Sequence, residues 1–131
     1  MPNSIDQQYL VLTPNQRAIL EPADEKLYQR LVENYNDFHG HTLVSCYDFT
    51  ADWDRWELHP AGDEVVILLS GQATMVIEHE HGFEQIELRH ANDFCLIPPN
   101  CWHTAKIAHF AKLLFVTPGA GTRHRDASLP K

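Results

Sequence analysis

Glu57-Leu58-His59-Pro60-Ala61-Gly62-Asp63-Glu64 is the stretch on which the fold turns. Glu57 and His59 are two apart in a segment that reads as a strand, so both side chains leave the same face. A Pro-Ala-Gly-Asp turn follows, and Glu64 then opens the apolar run Val65-Val66-Ile67-Leu68-Leu69. Downstream, Pro98-Pro99-Asn100-Cys101-Trp102-His103 sets a second imidazole just after another proline turn. Carboxylates and imidazoles on one sheet face are what a divalent metal takes as ligands.

The surrounding chain reads as strands and turns. Residues 42 to 49 alternate and are rich in β-formers, and further strands are predicted over 53–59, 64–69, 73–80, 83–89, 94–97, 104–107 and 112–117. His81-Gly82 is a plausible hairpin turn. Before these strands, Glu21-Pro22-Ala23-Asp24-Glu25 looks like a helix start, and Leu27, Leu31 and Tyr35 recur at helical spacing. One helix near 23–36 is therefore predicted. Tyr9-Leu10-Val11-Leu12 is an apolar patch that either adds a strand to a sheet edge or packs over the strands. Short strands at even spacing indicate a sandwich or barrel, and a double-sheet jelly roll accounts for them.

A chain of 131 residues with 44% hydrophobic residues is one ordinary globular domain by length and composition. Its net charge of −8 argues against nucleic acid and against an anionic membrane as partners. No apolar run is long enough to span a bilayer, and Met1 to Asp6 lacks the pattern of a signal peptide. A cytoplasmic location follows. Cys46, Cys95 and Cys101 cannot all pair with one another, so reduced thiols fit better than a disulfide framework.

The two motif stretches resemble the cupin superfamily. The first cupin motif runs Gly, then His-x-His, Glu and Gly. Here Ala51 stands at the first Gly, Glu57 at the first His, His59 at the second His, and Glu64 and Gly71 at the last two positions. The second motif runs Gly, Pro-x-Gly, His, Asn. Asn92, Pro98, Asn100 and His103 stand at its first four positions, and Ile107 at the last. Both glycines are Asn, the residue that best tolerates a left-handed backbone after Gly. The resemblance covers residues 42 to 118 and implies a cupin barrel there. Residues 1–41 then form an N-terminal extension with one helix. Residues 119–131 form a C-terminal tail, polar and expected on the surface or disordered.

Inward and outward residues alternate in a small barrel. Glu57 and His59 share parity, Glu64 continues an inward face with Val66 and Leu68, and His103 shares parity with Cys101 and Ala105. The expected site is a polar floor of Glu57, His59, Glu64 and His103 between apolar walls. Two imidazoles and two carboxylates suit a divalent ion of Fe, Mn, Ni or Zn, and the oxygen-rich set favours Mn or Fe. His59, Glu64 and His103 alone make a two-His-one-carboxylate set. Glu57 is then a fourth ligand, or a catalytic base beside the metal. Without a metal, the four are hydrogen-bonded pocket groups; two inward carboxylates favour a bound cation because an unpaired buried charge is costly.

The other histidines read as loop or turn residues: His39, His41, His79, His81, His90 and His109. His124, between Arg123 and Arg125, matters only if the tail folds over a barrel mouth. Trp53, Trp56 and Trp102 read as wall or core aromatics. The resemblance implies a metal-dependent dioxygenase, isomerase or lyase acting on a small molecule. A non-catalytic binding or sensing module is the alternative, so the enzyme assignment stays open. Similar single-barrel proteins pair as homodimers, and the Tyr9–Leu12 patch is a candidate for that contact.

Overall fold

The structure is a computed structural model that describes residues 1–127. Its strands are β1 (Gln8–Leu12), β2 (Ala18–Pro22), β3 (Thr42–Phe49), β4 (Arg55–Leu58), β5 (Glu64–Gly71), β6 (Ala73–His79), β7 (Gly82–Leu88), β8 (Phe94–Ile97), β9 (His103–Lys106), β10 (Ala111–Thr117) and β11 (Arg123–Asp126). One helix, α1 (Leu27–Asn34), lies between β2 and β3. The strands form two antiparallel sheets, ordered β2-β1-β3-β10-β5-β8 and β11-β4-β9-β6-β7. This is the expected all-β jelly roll with one N-terminal helix.

The alternation read from β5 holds. Glu64, Val66 and Leu68 are buried, while Val65, Ile67 and Leu69 are only half-buried on the outer face. Val66, Leu68 and Leu113 of one sheet meet Met75, Ile77 and Ala105 of the other in the main core. Truncating a fully buried leucine such as Leu68 costs about 2–5 kcal/mol. The turns follow the expected backbone. Asn92 has φ +81 and Asn100 φ +61, so each asparagine takes the left-handed conformation that a glycine would otherwise supply. Gly71 has no such substitute, because a Cβ there would lie 2.1 Å from the Phe110 carbonyl oxygen.

Three elements differ from expectation. The helix begins at Leu27 because Asp24 bonds the Lys26 amide and pairs with Arg30, holding a turn ahead of the helix. It stops at Asn34, and Asn36, Asp37 and Phe38 then turn left-handed with φ above +50. Residues 18–22, outside every predicted strand, form β2 at the sheet edge, where Pro22 is tolerated. Part of the expected tail is β11, paired with β4 from Arg123↔Leu58 to Asp126↔Arg55. β1 is interior, bonded to both β2 and β3, so the Tyr9–Leu12 patch is not a free edge. Tyr9 and Val11 instead join Leu27, Leu31 and Phe38 in a second core cluster.

Candidate metal centre

Strand pairing brings the expected residues together. Glu57 on β4 lies directly opposite His103 on β9. His59 follows two residues after Glu57, just past the end of β4, and Glu64 comes from β5 in the facing sheet. His59 Nε2 lies 3.3 Å from Glu64 Oε2 and 3.7 Å from Glu57 Oε1. His103 Nε2 lies 3.1 Å from Glu64 Oε1. One ligand atom each from Glu57, His59 and His103 lie within 4.8 Å of one another. His59, Glu64 and His103 are buried, whereas the Glu57 side chain is 30% exposed.

The imidazole tautomers follow from their outer nitrogens. His103 Nδ1 lies 3.1 Å from the Cys101 carbonyl oxygen, which can only accept, so Nδ1 carries the proton. The Thr122 hydroxyl spends its proton on the Gly119 carbonyl at 2.8 Å. Its oxygen therefore accepts from His59 Nδ1, also at 2.8 Å. With Nδ1 protonated, each ring when neutral turns an unprotonated Nε2 toward Glu64, the arrangement in which a histidine ligates a metal. The Thr117 hydroxyl donates to Glu64 Oε2 at 2.5 Å, which leaves Oε1.

His59 Nε2, His103 Nε2 and Glu64 Oε1 are buried without a hydrogen bond. Close approach without bonding geometry means that these atoms crowd one another rather than satisfy one another. In the neutral tautomers His103 Nε2 and Glu64 Oε1 are two acceptors at 3.1 Å, a repulsive contact unless a positive charge lies between them. A proton is one such charge. Burial alone would raise the Glu64 pKa, yet the His103 and His59 imidazoles outweigh it and hold the carboxyl down to about 2. Burial opposes charge on His103, and the Glu64 carboxylate outweighs it and raises that pKa above 6.5. A divalent cation is the other candidate, and a two-imidazole, one-carboxylate donor set with Glu57 at its rim fits Fe, Mn, Ni or Zn.

Aromatic rings wall the site. Trp53 stands edge-on to His103 with centroids 6.3 Å apart, and packs on Phe49 and Phe115. Tyr47 closes the group and shares a 2.7 Å hydrogen bond with the Tyr28 hydroxyl of α1. These rings form an apolar wall beside the His103 side of the cluster. A surface depression does exist at the β4–β11 edge, but Asp54, Arg55, His124, Arg125 and Asp126 line it. Burial, with Glu64 and Glu84 nearby, pushes the Cys95 thiol up to about 12, and burial also raises Cys46, so both are inert thiols.

Sequence reading missed Thr117, Thr122 and the part played by His124. His124 Nε2 lies 3.2 Å from Glu57 Oε2, because β11 folds back beside β4. Inward parity with Leu113 and Phe115 marks Thr117. No spacing signal marks Thr122.

No family model matches the chain, and neither does any curated protein. Solved structures do. A cupin-2 domain protein of Shewanella frigidimarina is 19% identical with a TM-score of 0.50, over 59% of this chain and 70% of that one. Oxalate oxidase is 15% identical with a TM-score of 0.53, over 62% and 44%. Peruvianin-I, a cysteine peptidase of Thevetia peruviana latex, is 12% identical with a TM-score of 0.54, over 65% and 56%. The chain thus matches less than half the length of the oxalate oxidase chain. An oxidase and a peptidase on one scaffold show that the likeness carries architecture and not reaction. The two antiparallel sheets match the cupin-2 domain protein and oxalate oxidase in architecture, and the chain has the cupin fold.

Proposed function

We propose that this protein holds one divalent metal ion on His59, Glu64 and His103, with Glu57 as fourth ligand at the solvent side. The observation that carries this is the trio of buried, unbonded acceptor atoms, two of them 3.1 Å apart. Oxygen-rich ligation favours Mn or Fe. Residues 42–118 supply these ligands, with 1–41 and 119–127 as additions to the barrel; the remainder of the tail expected over 119–131 lies outside the described residues.

We infer a metal-dependent enzyme, a dioxygenase, isomerase or lyase acting on a small oxygenated or anionic molecule. A bound divalent ion supplies polarisation of a substrate oxygen or a coordination position for dioxygen. Glu57 is the most exposed of the four, which supports a role in carrying a proton at its carboxylate. The Trp53, Phe49 and Phe115 rings exclude water from the His103 side.

The test is metal content of protein purified without chelator, followed by titration of the stripped chain with Mn(II), Fe(II) and Zn(II). One equivalent per chain is expected, with loss in His59→Ala/His103→Ala at unchanged circular dichroism. A folded wild type that takes up no metal ends the proposal.

We also propose a cytoplasmic homodimer. Three free cysteines fit a reducing compartment. Among the described residues no helix is long and apolar enough to cross a membrane. On the outer face of the larger sheet, Leu20, Leu10, Val44, Val116, Val65 and Leu96 are successive cross-strand partners over six strands. Phe94 is 60% and Leu96 56% exposed at the end of that face, which is apolar surface suited to a second copy.

A further inference from the structure

We propose that His124 is a positioning residue for the metal centre, holding one oxygen of Glu57 so that the other stays turned to the imidazoles. The inference rests on the metal reading above and adds a residue outside both sequence motifs.

The geometry divides the Glu57 carboxylate in two. Oε2 lies 3.2 Å from His124 Nε2, and Oε1 faces His59 Nε2 at 3.7 Å. A carboxylate only accepts, so Nε2–H of His124 is the donor. Left alone, a glutamate this exposed has strong reasons to leave. It has three rotatable bonds and water on one side, and the Glu64 carboxylate shares its site. Like charges around one site push the more mobile one outward. A donor fixed on the neighbouring strand removes that freedom before any metal arrives, which is what raises affinity in a preorganised site.

His124 is fixed because β11 is anchored from its other face. Successive strand residues point to opposite faces, so Arg123 and Arg125 leave the sheet opposite to His124. Arg125 stacks on Trp56 at 5.2 Å and on Trp102 at 4.7 Å, and pairs with Glu78 at 2.7 Å. Arg123 lies over Trp102 at 5.7 Å. None of these contacts touches a ligand. Just before the strand, Thr122 accepts from His59 Nδ1, so one short segment aims two ligands.

A purely structural role predicts otherwise. The His124–Glu57 pair is 41% and 30% exposed, and pairs of that kind add little to folding. Metal affinity is therefore the readout, with thermal stability as the control.

The 131-residue chain stripped of metal is titrated with Mn(II) alone by calorimetry, and the Co(II) form is followed by absorption. His124→Ala is expected to weaken binding about 10–100-fold and to change the Co(II) spectrum, with little change in melting temperature. His124→Gln sets an amide donor at a similar reach and is expected to return affinity toward wild type. In a Glu57→Ala background, His124→Ala is expected to have no further effect. Unchanged affinity and spectrum in His124→Ala would overturn the proposal. So would failure of His124→Gln to rescue, or a further loss in the Glu57→Ala background, since either makes His124 a ligand in its own right. Absence of metal uptake by wild type would instead remove the metal reading itself, and the wild-type titration alone shows which has failed.

Discussion

Thr117 and Glu64, on the neighbouring strands β10 and β5, share a buried hydrogen bond of 2.5 Å in which the hydroxyl donates to Oε2. That bond assigns the carboxylate its orientation, with Oε2 tied to the wall and Oε1 toward His103. Thr117→Val keeps the shape and deletes the donor. Metal affinity is expected to fall about 10–100-fold. Stability of the metal-free protein is expected to drop by about 1–3 kcal/mol, because a buried acceptor loses its partner. Thr117→Ser should restore both. Calorimetric titration and thermal melts decide, and equal metal binding by Thr117→Val would mean that Oε1 needs no such aiming.

Acid and base act on this centre in opposite ways. Glu64, held down to about 2, contributes stability present above its ordinary 4.5 and lost as pH falls toward about 2. His103, raised above 6.5, contributes stability present below 6.5 and lost as pH rises through its raised value. The His103–Glu64 contact contributes to both shifts, so in chelator the site stabilises the fold most between about 4.5 and 6.5. A metal replaces the His103 proton, so affinity should rise as pH climbs through the raised His103 value. Melts with and without saturating Mn(II) across that range test this. Equal stabilisation by metal at pH 5 and pH 8 would count against His103 as a ligand.

Glu57 separates ligand from proton carrier. Glu57→His sets an imidazole where the first cupin motif has its first His, and metal should stay bound with preference shifted toward Zn or Ni. Glu57→Gln keeps shape without charge or base. With Glu57 as proton carrier, that variant retains metal and loses about 10²–10⁴-fold in turnover. Competition between Mn(II) and Zn(II) is the first measurement, because it needs no substrate. If neither variant alters uptake or selectivity, Glu57 lies outside the coordination sphere.

The apolar outer face gives a prediction on assembly. Leu96→Glu sets a charge among Val65 and its neighbours at a side chain already 56% exposed. The fold should be kept and the dimer lost, seen by light scattering at micromolar concentration. A monomeric wild type would refute the dimer directly.

The centre of the fold was legible because its signals are local and repetitive. β5 alternates without interruption, and the asparagines at 92 and 100 stand where a left-handed backbone is required. The four candidate ligands were legible for the same reason, since parity and turn spacing put them on inner faces. β11 was not. Its residues, Arg-His-Arg-Asp, carry no apolar alternation, because the buried partners of its arginines are tryptophans from elsewhere in the chain. β2 was hidden by Glu21 and Pro22, which read equally well as a helix start. Thr117, Thr122 and His124 act through long-range pairing, and a hydroxyl or an isolated imidazole announces no partner 53 to 67 residues away.

That distance along the chain has a consequence for the order in which the protein comes into being. Glu57, His59, Glu64 and His103 leave the ribosome before Thr117, Thr122 and His124, which aim three of them. A nascent chain therefore exposes all four candidate ligands while nothing yet holds their geometry. Contacts this remote are slow to close because the intervening chain must be ordered first. A metal ion met during synthesis would find a loose chelator, and the candidate centre gains its full geometry once β10 and β11 dock.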